Sequence, residues 1–152
     1  MTPNDFINAL TPAAQASAAI TKIPASFTIA EAALESGWGS SQLATEGYNL
    51  FGVKADPSWT GDVLTMNTRE YLNDQWVMEL AAWRKYPDWY GSISDHATFL
   101  LTNPRYSPAF QATNGIDFAN AVAAAGYATD PDYATKIAEI INAHNLTALD
   151  VV

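Results

Sequence analysis

The chain has 152 residues, 49% of them hydrophobic, with 5 Trp, 6 Phe, 7 Tyr and no Cys. That is room for one ordinary domain, residues 1–152, with a real core, and it excludes a disulfide framework, a thiolate metal site and a thiol nucleophile. Sixteen Asp and Glu against seven Lys and Arg give a formal net charge of -9, which turns away nucleic-acid backbones and anionic membrane surfaces.

In chain order, Thr2-Pro3-Asn4-Asp5 reads as a capped helix start, with Phe6, Leu10, Ala14 and Ser17 at helical spacing. Lys22-Ile23-Pro24 ends that helix, and Ser26 is expected to cap the next, which stops at Gly37. A short helix is expected around Ser40–Thr45, and Glu46–Trp59 is irregular. Val63–Leu72 and Gln75–Trp83 flank Asn73-Asp74, a two-residue hairpin turn. That turn would set Glu70 opposite Val77 and Thr68 opposite Glu79, with Glu70 and Glu79 on one face. Ser92-Ile93-Ser94-Asp95 reads as a capping box leading into Ala97–Leu101. Phe118–Ala125 is an alanine-rich helix closed by Gly126, and Asp130-Pro131 starts a last helix striped by Tyr133, Ile137, Ile141 and His144. The fold class is therefore mainly α, in the α+β sense, with a β-hairpin lobe at about residues 60–86. Helices beside a small β lobe leave a cleft between them.

The chemistry concentrates in Leu34-Glu35-Ser36-Gly37-Trp38. A carboxyl between Leu34 and Trp38 loses hydration, and its pKa rises. Such a group can donate a proton near neutral pH, the general-acid task of glycoside hydrolysis. Glu31 lies one turn earlier on the same helix face and would raise the pKa further by like charge, although a surface position is its simpler reading. A second carboxylate is usual in this chemistry, and the hairpin offers Glu70, with Glu79 behind it. Tyr127 could donate to a sugar, and Asp130 could cap the last helix. His96 and His144 stand apart and read as structural. No metal-ligand spacing, phosphate loop or nucleophile elbow is present, so no metal and no cofactor is expected.

The ordered stretches Ile29–Gly39, Asn49–Lys54, Thr68–Tyr71, Ser94–Leu100, Asn103–Tyr106 and Gly126–Tyr133 resemble glycoside hydrolase family 73, the glucosaminidase domains of phage endolysins, autolysins and flagellar peptidoglycan hydrolases. The resemblance implies a lysozyme-like helical fold with a small β lobe, and cleavage of the β-1,4 bond on the reducing side of N-acetylglucosamine. It implies Glu35, Glu70 and Tyr127 as catalytic and Asn49 and Phe51 as lining the substrate cleft; Glu31, Trp38 and Asp130, in the same dense segments, are expected to bind substrate as well. The family often has glutamine where this chain has Glu31. A muramidase, a lytic transglycosylase or a silent wall-binding protein are the alternatives.

The expected partner is peptidoglycan glycan, met by a monomer with no membrane insertion. No signal peptide is visible in MTPNDFINAL, so the expected route to the wall is holin lysis, as for a phage or prophage endolysin, or a dedicated secretion system. The -9 charge opposes an anionic polymer. Activity on peptidoglycan is expected to rise with moderate salt, which screens that repulsion; fastest turnover at the lowest ionic strength would contradict this.

Overall fold

Helix α2, Ala25–Ser36, is buried along almost its whole length, with every residue from Ala25 to Ala33 out of solvent. A helix buried on all sides must be enclosed by others. Its alanines at 25, 30, 32 and 33 keep its surface low, so neighbouring helices approach closely. In the computed structural model, which describes residues 1–151 and all of their side chains except those of Glu70 and Tyr71, α2 is surrounded by α1 (Pro3–Thr21), α5 (Gly115–Ala124), α6 (Tyr133–Ala143) and the turn Leu146–Leu149. Phe27, Ile29, Phe118, Ile137 and Ile141 fill the space between them. α5 starts hard against the beginning of α2. A Cβ on Gly115 would meet the Ser26 hydroxyl at 2.1 Å, so the crossing requires glycine there.

The remaining elements wrap this centre. α1 begins with the expected capping box. Thr2 Oγ1 accepts from the Asp5 backbone N–H at 3.1 Å, and the Asp5 carboxylate accepts from the Thr2 N–H at 3.4 Å. α3 spans Gln42–Gly47 and is capped by Ser41. The strands β1 (Val63–Leu72) and β2 (Gln75–Arg84) form one antiparallel ladder with Glu70 opposite Val77 and Thr68 opposite Glu79, the expected register. Asn73 and Asp74 both take positive φ, 50° and 63°, the backbone that matches the strand twist. α4 spans Trp89–Thr102 and packs on α1. The architecture is the expected helical body with a two-stranded lobe.

Expected helix starts are displaced at α2, α4 and α6, the last beginning at Tyr133 rather than at Asp130-Pro131. Ser26 does not cap α2: the helix begins at Ala25, two residues earlier than a Ser26 cap would set, and Pro24 at the N-cap has no side-chain acceptor. Ser92 does not open α4 either. That helix begins at Trp89 under an Asp88 cap, and Ser92 is a buried residue whose hydroxyl accepts from the Leu50 N–H at 3.1 Å. At α4 the local sequence offers Asp88 as well as Ser92, and tertiary packing decides which oxygen is used.

The missing α2 cap comes from the far end of the chain. Asp150 accepts from the Ser26 N–H at 2.8 Å and from the Ser26 hydroxyl at 2.6 Å. A carboxylate at a helix N-terminus satisfies orphan donors and faces the positive end of the dipole. Asp150→Ala is expected to cost about 1–2 kcal/mol of stability, read as a lowered midpoint in urea unfolding, and an unchanged midpoint would show that the contact contributes nothing.

Candidate active site

α2 carries both carboxyls of interest, Glu31 and Glu35, and ends at Gly37 with φ 57°, the left-handed stop that glycine adopts freely. The two side chains meet opposite environments. Glu35 remains exposed at the helix end, while Glu31 is 1% exposed. The surface position read for Glu31 is thus corrected. The helix turns it inward, under the segment 125–132 and α6.

Four elements converge on it. Tyr133 of α6 donates its hydroxyl hydrogen to Glu31 Oε2. Tyr127, in the segment after α5, donates to Glu31 Oε1 at 2.9 Å. His96 of α4 places Nε2 2.6 Å from the same Tyr127 hydroxyl. Phe51 stacks flat on the His96 ring, with centroids 3.9 Å apart and an interplanar angle of 7°. Polar clamps fix Phe51 in turn. The Asn49 amide donates to the carbonyls of Val53 and Arg84, both at 2.9 Å, and accepts from the Val53 N–H at 3.1 Å. Arg84 grips Asp95 at 2.8 Å, next to His96 on α4, and Tyr86 donates to the same carboxylate at 2.6 Å. The base of the hairpin, the 49–54 loop and α4 are thereby one unit.

Above this network lies a groove of about 550 Å³ lined by Glu31, Leu34, Glu35, Phe51, Tyr127 and Asp130, among others. Phe51 and Tyr127 also line a second hollow of about 700 Å³, beside Arg84, Asp95 and His96. The two make adjoining halves of one surface divided by an aromatic pair. Asp130 rims the first half. It accepts from the Asp132 N–H at 2.9 Å and pairs with Lys136 at 2.6 Å, while α6 itself begins at Tyr133. Among the described residues no cluster of His, Asp or Glu is placed to hold a metal ion.

The electrostatics follow from these positions. Burial pushes Glu31 up to about 7, against the two tyrosine hydrogen bonds that favour its anion, and the neighbouring charge of Glu35 raises it further. Glu35 is also raised, by partial burial of its carboxyl against the groove wall. Burial lowers His96 to about 3, so its ring is neutral at any working pH. Burial and the adjacent Glu31 carboxyl hold both Tyr127 and Tyr133 well above the ordinary tyrosine range.

Of the sequence-derived candidates, the structure brings Glu31, Glu35, Phe51, Tyr127 and Asp130 to one groove. Trp38 and Asn49 spend their side chains on the framework. Trp38 packs edge-on against Phe6 and His144, at 5.8 and 4.8 Å. Glu70 sits at the expected place in the ladder, and its side chain lies outside the described part; Glu79 is exposed on the same hairpin face. Sequence reasoning missed His96 and Tyr133. Tyr133 sits on the core stripe of α6, and His96 lies 65 positions from Glu31, so spacing linked neither to Glu31.

The Glu31 shift has a stability consequence. The unfolded chain loses this proton near 4.5 and the folded chain near 7, so the folded state binds more protons between those values. Its contribution to stability is therefore intact below 4.5 and is lost as pH rises through that window. The loss is roughly 3 kcal/mol. Glu31→Gln is expected to melt several degrees above wild type at pH 8, with the gap closing near pH 4.5; a gap independent of pH would contradict the assignment.

Comparison with known proteins identifies the family. The sequence model described as mannosyl-glycoprotein endo-beta-N-acetylglucosaminidase matches residues 11–146. The peptidoglycan hydrolase FlgJ of Vibrio parahaemolyticus is 39% identical over 142 residues, covering 91% of this chain and 46% of that protein. The exo-glucosaminidase LytG of Bacillus subtilis is 40% identical over 132 residues, covering 84% of this chain and 46% of that protein. This chain thus spans less than half the length of either relative. The catalytic domain of the autolysin Auto from Listeria monocytogenes superposes with a TM-score of 0.87 at 34% identity, over 97% of this chain and 86% of that one. With nearly the whole sequence matched and the helical body and hairpin lobe shared, the chain belongs to the glucosaminidase family, glycoside hydrolase family 73.

Proposed function

We propose that this domain hydrolyses peptidoglycan glycan at the β-1,4 bond on the reducing side of N-acetylglucosamine, with Glu35 as the general acid. One observation carries the reading. Glu35 is the carboxyl that is both open to the groove and held above its ordinary pKa by partial burial. A proton donor must reach the leaving oxygen and must keep its proton until then. Glu31 keeps its proton too, but it lies under the groove floor.

In the proposed reaction the Glu35 proton passes to the glycosidic oxygen as the carbon–oxygen bond breaks, and positive charge develops on the sugar ring. Two routes then fill the anomeric carbon. Glu70 takes a proton from a water that attacks the opposite face, or the substrate's acetamido oxygen attacks and Glu70 assists. Tyr127 lies between the groove halves, where it can contact the reacting sugar. Space on both sides of Phe51 and Tyr127 suits an endo-acting enzyme, which must hold sugars on each side of the bond. The setting we propose is wall lysis by a monomer, as by a phage or prophage endolysin.

Digestion of purified peptidoglycan followed by borohydride reduction and mass spectrometry tests the specificity. Reduced N-acetylglucosamine ends are expected. Reduced N-acetylmuramic acid would indicate a muramidase, anhydro-muramic ends a transglycosylase, and binding without cleavage a silent wall protein. Glu35→Gln is expected to lose about 10²–10⁴-fold in rate with its fold intact, and retained turnover would overturn the acid assignment. Loss of turbidity on adding the protein to permeabilised Gram-negative cells supports the lytic setting, and cleavage of isolated glycan without such loss removes it.

A further inference from the structure

We propose that Glu31 is a positioning residue whose own proton decides whether the Tyr127 hydroxyl can donate to a bound sugar. The inference rests on the catalytic reading above for its consequence in turnover, and on hydrogen-bond geometry alone for its mechanism.

The argument is a count of hydrogens. The Tyr127 hydroxyl has one hydrogen and two buried partners, Glu31 Oε1 at 2.9 Å and His96 Nε2 at 2.6 Å. An ionised Glu31 accepts only, so it takes the Tyr127 hydrogen. His96 must then carry its hydrogen on Nε2 and donate it to the Tyr127 oxygen. In that state Tyr127 has no hydrogen left for a ligand. A protonated Glu31 reverses the chain. With Tyr133 kept as the donor to Oε2, the acid proton sits on Oε1, the oxygen that faces Tyr127. Glu31 now donates to Tyr127, and the Tyr127 hydrogen is released. In the empty groove that hydrogen goes to His96 Nε2, with the imidazole proton on Nδ1. When a sugar is bound, His96 keeps its hydrogen on Nε2 and the Tyr127 hydrogen turns toward the sugar.

The surroundings support Glu31 as the proton holder. Glu35 faces it from its own helix, Tyr133 from α6, Tyr127 from the 125–132 segment, and His96, through Tyr127, from α4. Asp130 and Lys136 line the same groove and pair with each other. Asp95, beside His96, is engaged by Arg84 and Tyr86. The proton on Glu31 is lost near pH 7.

Histidine nitrogen shifts read the chain without any substrate. In protein labelled with ¹⁵N-histidine, with the ligand-free groove, His96 is expected to change from the Nε2–H to the Nδ1–H tautomer as pH falls from 9 to 5. In Glu31→Gln, whose amide donates to Tyr127 at every pH, it is expected to stay Nδ1–H throughout. In Tyr127→Phe the chain is cut and the pH dependence disappears. His96 shifts that stay flat in wild type, or that change equally in Glu31→Gln, would overturn the proposal. So that a Gln variant that fails to fold leaves the question open to test, the wild-type and Tyr127→Phe titrations decide it on their own.

Kinetics then tie the chain to turnover. Ionisation of Glu31 is expected to add a step to the alkaline fall of kcat/KM in wild type, making it steeper than the roughly 10-fold per pH unit that loss of the Glu35 proton alone gives in Glu31→Gln. Equal slopes would sever Glu31 from turnover. A titrating His96 with no glycan cleavage in wild type would overturn the hydrolase reading while leaving the hydrogen-bond chain intact.

Discussion

The site depends on one buried carboxyl. Glu31 sits at the centre of the most enclosed helix in the molecule, 1% exposed. An isolated charge there would be expensive, and a polar group without partners would also cost. The protein meets both demands with neutral donors. Two tyrosine hydroxyls reach the two carboxyl oxygens, and burial keeps the acid protonated up to near neutral pH. No cation enters the pair. An arginine in place of either tyrosine would hold Glu31 ionised, and the chain to His96 would have a single orientation.

Around that carboxyl, polar clamps do what a larger sheet does in other folds. The hairpin has only two strands and is too small to stand alone. Its base is fixed by Asn49, which bridges the 49–54 loop and β2, and by Arg84, which reaches Asp95 on α4. The same loop delivers Phe51 to the His96 ring. A single set of hydrogen bonds thus places the lobe, closes one wall of the groove and orients the imidazole. Asp150 adds a fixed start to α2, so both ends of the helix that carries Glu31 and Glu35 are held, one by a carboxylate and one by Gly37.

Two carboxyls one helical turn apart meet different surroundings in this environment. Depth is the difference between them. Glu35 keeps its contact with solvent and with the groove, and Glu31 lies beneath the floor. Under the proposed reaction, such a difference in surroundings gives chemically identical groups different parts in acid-base chemistry.

Much of this was legible in the chain. The capping box at Thr2, the stop at Gly37 and the hairpin register around Asn73-Asp74 follow from short-range rules, because the atoms that decide them are neighbours in sequence. The segment around Glu35 marked the site for a similar local reason: an acid between Leu34 and Trp38 at a helix end. Tertiary structure decided the rest. Helical spacing put Glu31 and Glu35 on one face, but only the packing of α6 and the 125–132 segment over that face buried the first and left the second open. The same packing turned Tyr133 from a core residue into a hydrogen-bond donor and joined His96 to a carboxyl 65 positions away. It also gave α2 a cap from the distant Asp150 and α4 a cap from Asp88 rather than Ser92, since where the backbone finally lies decides which oxygen reaches a helix start. Sequence determined which elements form and where an acid meets apolar surface, since both depend on contacts a few residues long. The protonation and partners of that site depend on burial, which the chain acquires only when its distant parts close over one another.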